Sequence, residues 1–312
     1  MILVKHFRET TFLIFIFSLG YMKAQAKGSL HQFLPANSSS GRDTVLSESA
    51  TSFPVTFGFD LVSRYIWRGM DFGVAPAFQP GVSYSVATKR IVKGDQPVAT
   101  FQIGAWASYA VTGSFAETDL YATLRFPYVW IGLIDYYFPT ETTAKDRYFN
   151  YGRNTAHIYE ALIGFDGPEN VPLSVFLGYN FHGPDDQPVM TITPADSINQ
   201  LPADTTVSYV GWKHSFYVEG SYSFQLKGDV ELTLILGGAY GKYYTQNSGY
   251  VRNGLDVTVN QRFNIVNAGV RVAKTFELGE KHKVQLPVSV SLITNPDARK
   301  FYFVAGIGIW NQ

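Results

Sequence analysis

Val284-Gln285-Leu286-Pro287-Val288-Ser289-Val290-Ser291-Leu292 alternates apolar side chains with small or polar ones. Residues two apart share one face of a strand, so this run reads as a strand with one greasy face and one polar face. The same stripe recurs at Val230, Leu232, Leu234 and Leu236, and at Phe301, Phe303, Ala305, Ile307 and Ile309. Each run is about ten residues tall, the height of a strand that crosses a bilayer at a tilt.

Working outward from these stripes, strand-like segments begin at Phe53 and recur near 77–87, 98–111, 117–126, 128–138, 156–166, 172–182, 209–226, 229–241, 263–274, 283–294 and 299–310. That makes about twelve, an even number, as an up-and-down barrel requires. Long gaps at 139–155, 183–208 and 242–262 all fall after odd-numbered segments and therefore on one side. Gaps on the other side are short and rich in turn residues, such as Gly167-Pro168-Glu169-Asn170 and Lys227-Gly228-Asp229. Residues 88–97 form a longer connection on that short side than the rule prefers.

The opposite phase decides which way the greasy face turns. Gln102, Gly104 and Ser108, then Ser174, Gly178 and Asn180, then Ser289 and Ser291 are small or polar with few charges. The outer face of a soluble barrel would carry more Lys and Glu. The expected fold is therefore all-β: a closed, antiparallel, up-and-down transmembrane β-barrel of about 12 strands, closed because unpaired backbone groups cost several kcal/mol each in lipid. A soluble sandwich or lipocalin-like barrel is the alternative, since such proteins also alternate. Aromatics near strand ends, among them Tyr65, Trp67, Tyr179, Phe181, Phe301, Phe303 and Trp310, suit interfacial girdles.

Composition agrees. Charged residues make up 16% and aromatic residues another 16%, with 24 Phe and 20 Tyr. Lys5 and Arg8, the apolar stretch from Thr11 to Tyr21 and the small-x-small Ala24-Gln25-Ala26 read as a signal peptide over 1–26. Its removal would take the formal charge from zero to −2, and no polybasic nucleic-acid surface is implied. Residues 27–52 are polar and aperiodic and read as a disordered leader before a barrel domain over 53–312. With no cysteine there are no disulfides or thiolate metal sites.

Asp60-Leu61-Val62-Ser63-Arg64-Tyr65-Ile66-Trp67-Arg68-Gly69, followed by Pro76 and Gly81, resembles the opening signature of the TorF family of porins. Gly104-Ala105-Trp106-Ala107-Ser108, Glu117-Thr118-Asp119-Leu120-Tyr121, Asp135-Tyr136-Tyr137-Phe138-Pro139 and Ile158-Tyr159-Glu160 are similar to later stretches of it. The resemblance covers about residues 57–182, and Phe138 and the 183–208 loop depart from its pattern. It implies an outer-membrane barrel called a porin by inference, with no established substrate. The ending Phe303 to Trp310 resembles the aromatic terminus read by the barrel assembly machinery, although Asn311 and Gln312 follow it.

Asp60, Arg64, Arg68, Asp119, Arg125, Glu160, Glu219, Glu231 and Arg271 fall on the polar phase and are the candidate lumen residues. An Arg facing lipid near the midplane would cost roughly 2–4 kcal/mol, which favours inward placement. Arg64, Arg68 and Arg125 are expected to oppose Asp119 and Glu160, either setting a transverse field that selects solutes or bracing the barrel. Gly69 permits a bend that turns Arg68 into the mouth, as a solute contact or a loop anchor.

A lipid-modifying enzyme would need a Ser within reach of a His. His157, His182 and His214 are the candidates in or beside the central strands, but no His-x-Ser spacing occurs, and His214-Ser215 would point to opposite strand faces. Asp185 and Asp186 are too few for calcium. Gly237-Gly238 and Gly306-x-Gly308 read as close strand packing rather than a phosphate loop. No cofactor or metal is expected. The expected function is passive diffusion of small hydrophilic solutes across the outer membrane, with outer-membrane lipids and the assembly machinery as partners. A non-conducting barrel with a structural or surface-binding role is the alternative.

Overall fold

The computed structural model describes residues 54–87, 99–139, 147–152, 155–168, 170–183, 187–193, 204–210, 214–241, 244, 263–279 and 284–311. The signal-peptide and leader segments, Phe53, the 88–97 connection, Asp185 and Asp186, and parts of the 139–155, 183–208 and 242–262 loops lie outside them.

All the described regular structure is strand. In chain order these are β1 (Val55–Val62), β2 (Ile66–Trp67), β3 (Met70–Asp71), β4 (Ala77–Ala87), β5 (Thr100–Ala110), β6 (Ala116–Arg125), β7 (Val129–Tyr137) and β8 (His157–Asp166). There follow β9 (Leu173–His182), β10 (Gln187–Thr193), β11 (Asp204–Val210), β12 (Phe216–Leu226), β13 (Val230–Tyr240), β14 (Asn264–Leu278), β15 (Val284–Asn295) and β16 (Lys300–Asn311).

Twelve of them close one antiparallel barrel in the order β1-β16-β15-β14-β13-β12-β9-β8-β7-β6-β5-β4. Each strand pairs with its sequence neighbour in the barrel, and β1 closes the ring against β16 from Gly58↔Trp310 to Val62↔Gly306. Side chains reinforce this seam: Asn311 Oδ1 accepts from the Phe57 amide at 2.6 Å and Asn311 Nδ2 donates to the Val55 carbonyl at 3.0 Å. Asn311 thus joins β1 to β16.

The remaining strands form two excursions. β2 and β3 pair as a hairpin between β1 and β4, and β10 pairs with β11 between β9 and β12. The 183–208 connection therefore contains a β-hairpin. The segment expected at 209–226 divides, because residues 209–210 belong to β11 and the barrel strand starts at Phe216. His214, just before it, has φ 64°, which turns the chain out of an extended path.

Phase is as the stripes require. Leu133, Ile163, Leu177, Leu234, Leu236, Val290, Leu292, Ile307 and Ile309 are exposed on the barrel's outer surface. The inward phase buries Gln79, Ser83, Ser108, Asp119, Thr123, Glu160, Ser174, Asn180, Glu219, Ser221, Ser223, Thr233 and Asn267. Rings share that interior. Trp130 lies over Gly164, where an added Cβ would come within 2.2 Å of the indole, and Trp310 likewise covers Gly58. Trp310 therefore faces the lumen rather than a girdle, because it shares a strand face with Gly306 and Gly308. Tyr65 and Trp67 are corrected in the same way: both are buried inside the barrel.

Candidate functional site: a hairpin plug in the lumen

Wherever the chain leaves β1 it must turn back toward β4, and it does so through the barrel interior. Trp67↔Met70 closes β2 on β3 around Arg68 and Gly69. These two have φ 50° and 76°. Two successive positive φ values are what a tight two-residue hairpin of this hand demands; glycine adopts them freely and arginine rarely does. At Gly69 no other residue fits, since a Cβ would lie 1.9 Å from the Val266 carbonyl oxygen. Arg64 braces the base of the excursion: its Nε donates to Asp71 Oδ1 at 3.1 Å, and its Nη2 sits 2.9 Å from Asp71 Oδ2.

The hairpin carries Arg68 inside the barrel, among residues at the long-loop ends of their strands. Arg68 Nη1 donates to Glu160 Oε1 at 2.6 Å and Nη2 to Oε2 at 2.9 Å, a fork-on-fork pair. Nη1 also donates to the Tyr244 hydroxyl at 2.5 Å, and Tyr136 donates to Glu160 Oε2 at 2.7 Å. The guanidinium carbon lies 4.4 Å from the Trp67 ring centroid and 4.6 Å from that of Tyr217, within cation–π range. Arg68 is 2% exposed and Glu160 0%. Asn295 Nδ2 caps the turn, donating to the Gly69 carbonyl at 3.1 Å.

Local irregularities aim these groups. The β8–β9 register shifts between Tyr159 and Glu160, and a bulge at such a place redirects side chains. Opposite, Gly178 leaves the bay that the carboxylate fills: a Cβ there would sit 2.1 Å from Glu160 Oε1. Gly237, beside the β13–β14 shift, similarly receives the Tyr217 hydroxyl. Tyr217 donates to Glu219, and Asn267 Nδ2 donates to Glu219 Oε2 at 2.9 Å.

The other sequence-predicted residues separate into local pairs. Arg125 joins Asp166 near the short-turn end, not Asp119 or Glu160, and Ser174 Oγ donates to Asp166 at 2.8 Å. Arg64 likewise serves its own excursion through Asp71. Asp60 accepts from Trp310 Nε1 at 3.1 Å, and Arg271 interacts electrostatically with Glu231 and Asp60. Glu231 accepts from Gln225 Nε2 at 3.1 Å. The expected single array of three arginines opposing Asp119 and Glu160 is thus replaced by one fully buried pair, Arg68–Glu160, and by more exposed pairs in which Arg64 and Arg125 each take a different acid. Asp119 stays inside the barrel with no arginine bonded to it among the described residues.

Sequence reasoning passed over Asp71, Asp166, Tyr136, Tyr217, Tyr244 and Glu117. Glu117 was within its reach, since it shares a strand face with Asp119. Tyr65, on the hairpin, stands beside Glu117 and Asp119; burial first, and then these acids, push its phenol well above its usual range, so it remains a hydroxyl. Of the three histidines, His182 packs its ring 5.4 Å from that of Tyr159, His157 Nδ1 lies 2.7 Å from Asp135 and Nε2 2.5 Å from the Tyr148 carbonyl, and His214 Nδ1 lies 2.7 Å from the Tyr179 hydroxyl. The imidazoles of His157 and His214 are therefore engaged by partners other than serine.

No family model matches the chain. No curated protein matches it. Among solved structures it is similar to the KdgM porin, at 10% identity and TM-score 0.38, covering 82% of this chain and 98% of that one. It is similar to the NanC porin at 7% identity and TM-score 0.38, covering 82% and 99%. The translocator domain of the autotransporter NalP from Neisseria meningitidis aligns at 13% identity and TM-score 0.29, covering 83% and 86%.

Proposed function

We propose that this chain is an outer-membrane, porin-type barrel for small hydrophilic solutes whose lumen is closed at rest by the β2–β3 hairpin. The observation that carries the reading is the inverted phase of a closed barrel: oily side chains outside, polar and ionised ones inside. Such an exterior suits hydrocarbon, and such an interior suits water and solute. The long connections belong on the cell exterior, and Tyr179, Phe181, Phe301 and Phe303, exposed near that end, suit the lipid boundary. The resemblance of Asp60–Gly69 to the TorF family points the same way.

A second reading has its own support. Arg68, Glu160, Trp67 and Tyr217 are so thoroughly buried that the barrel at this level is filled, which suits a non-conducting barrel with a structural or surface-binding role. Planar-bilayer conductance and swelling of liposomes in sugars of graded size, for the full chain and for a variant with residues 66–71 replaced by a short glycine-serine turn, separate the two. Brief openings that become steady and larger in the variant support the channel. Silence from both proteins overturns it and leaves the non-conducting barrel.

A further inference from the structure

Arg68 is held by a carboxylate together with aromatic faces. A second set of the same composition lies on β6 and its neighbours. Asp119 is paired in register with Trp106 on β5 and Tyr136 on β7, and all three are buried on the interior phase. Glu117, on the same face of β6, is paired with Ser108. Glu117 and Asp119 are each 2% exposed. Neither Asp119 oxygen has a hydrogen-bond partner among the described residues, and Glu117 Oε2 has none either. Asp119 interacts electrostatically with Glu117, Asp135 and Glu160, all of them acids. Glu160 is already engaged by Arg68 and Tyr136.

A third buried polar group, from outside the barrel strands, points to a ligand. The Tyr65 side chain, brought in by the hairpin and 5% exposed, has its ring 5.6 Å from that of Trp106, the register partner of Asp119, and its hydroxyl reaches toward Glu117 without closing a well-formed hydrogen bond. Buried carboxylates side by side are costly until a cation lies between them, and ring faces around such a point add attraction. Among the described residues no three His, Cys, Asp or Glu side chains converge as a metal site requires. An ammonium group, by contrast, brings three N–H donors to two carboxylates and a phenol oxygen.

We infer that Glu117, Asp119 and Tyr65, walled by Trp106 and Tyr136, form a binding site for the ammonium head of a small amine. The inference rests on the channel reading for the amine's route to the site, whereas the binding itself requires no conduction.

The test uses the refolded full chain in detergent, with ethylammonium chloride and potassium chloride at equal ionic strength as probes. Ethylammonium is expected to raise the thermal midpoint by about 3 °C or more above potassium, and the difference is expected to vanish in Asp119→Asn and Glu117→Gln. Equal elevation by both salts that is lost in the variants assigns the site to a free inorganic cation and overturns the amine assignment. Identical responses in wild type and variants overturn the site altogether. If the variants fail to refold, tryptophan fluorescence of the wild type decides: a saturable change with ethylammonium supports the site, and a linear or absent one overturns it. Midpoint elevation in a protein that passes no current would refute the channel and keep the site.

Discussion

Arg68 and Glu160, 92 residues apart, meet through two parallel hydrogen bonds of 2.6 and 2.9 Å over the bay left by Gly178. Both charges are out of water, so each depends on the other. Arg68→Ala strands the carboxylate and is expected to destabilise the folded barrel by about 3–5 kcal/mol. Arg68→Met with Glu160→Leu, which removes both charges at similar volume, should recover most of that loss. Urea unfolding monitored by heat-modifiable gel mobility measures both.

Gly178→Ala places a methyl 2.1 Å from Glu160 Oε1. The carboxylate must move off its partner, at an expected cost of about 1–3 kcal/mol. Gly220→Ala is the control, because the nearest atom to its added Cβ is 4.0 Å away. Comparison of the two unfolding midpoints tests whether the bay, rather than glycine itself, matters.

Gly69→Ala confronts both a φ of 76° and the Val266 carbonyl. The hairpin should leave its seat while the barrel ladder persists. Protease nicking between residues 64 and 74 is expected to rise with far-ultraviolet circular dichroism unchanged; nicking at the wild-type rate would show that the turn does not hold the plug.

On the outer surface, Leu234→Arg puts a charge on an exposed, mid-strand position of β13. In lipid this should cost about 2–4 kcal/mol, and in detergent micelles with mobile headgroups considerably less. Equal costs in liposomes and micelles would argue against a lipid-facing Leu234.

Asn311→Ala removes two bonds across the β1–β16 seam. Each is worth about 1 kcal/mol, and the loss should appear as earlier heat-induced opening of the barrel on gels.

The barrel was legible because a period of two, repeated about twelve times, leaves few alternatives, and because the scarcity of charge on the opposite phase fixes which face meets water. Trp310 could have been placed by the same rule, since Ile307 and Ile309 define the outer face and leave it inside with Gly306 and Gly308. The plug was not legible. β2 and β3 have two residues each, too short for periodicity, and Tyr65 and Trp67 look like girdle aromatics until a turn of rare conformation at Arg68 sends them inward. Arginine partners were also hidden. Phase places Arg125 and Asp166 on the inner wall, but only three-dimensional strand position makes Asp166 nearer than Asp119.

The hairpin is synthesised early, yet its anchors come late: Glu160, then Tyr244, 176 residues beyond Arg68, and Asn295, 226 residues beyond Gly69. Contacts so distant along the chain form slowly and only after the intervening loops have closed. Arg68 therefore has no resting place until nearly every strand has been laid down, and its settling among them marks the moment the assembled wall is complete.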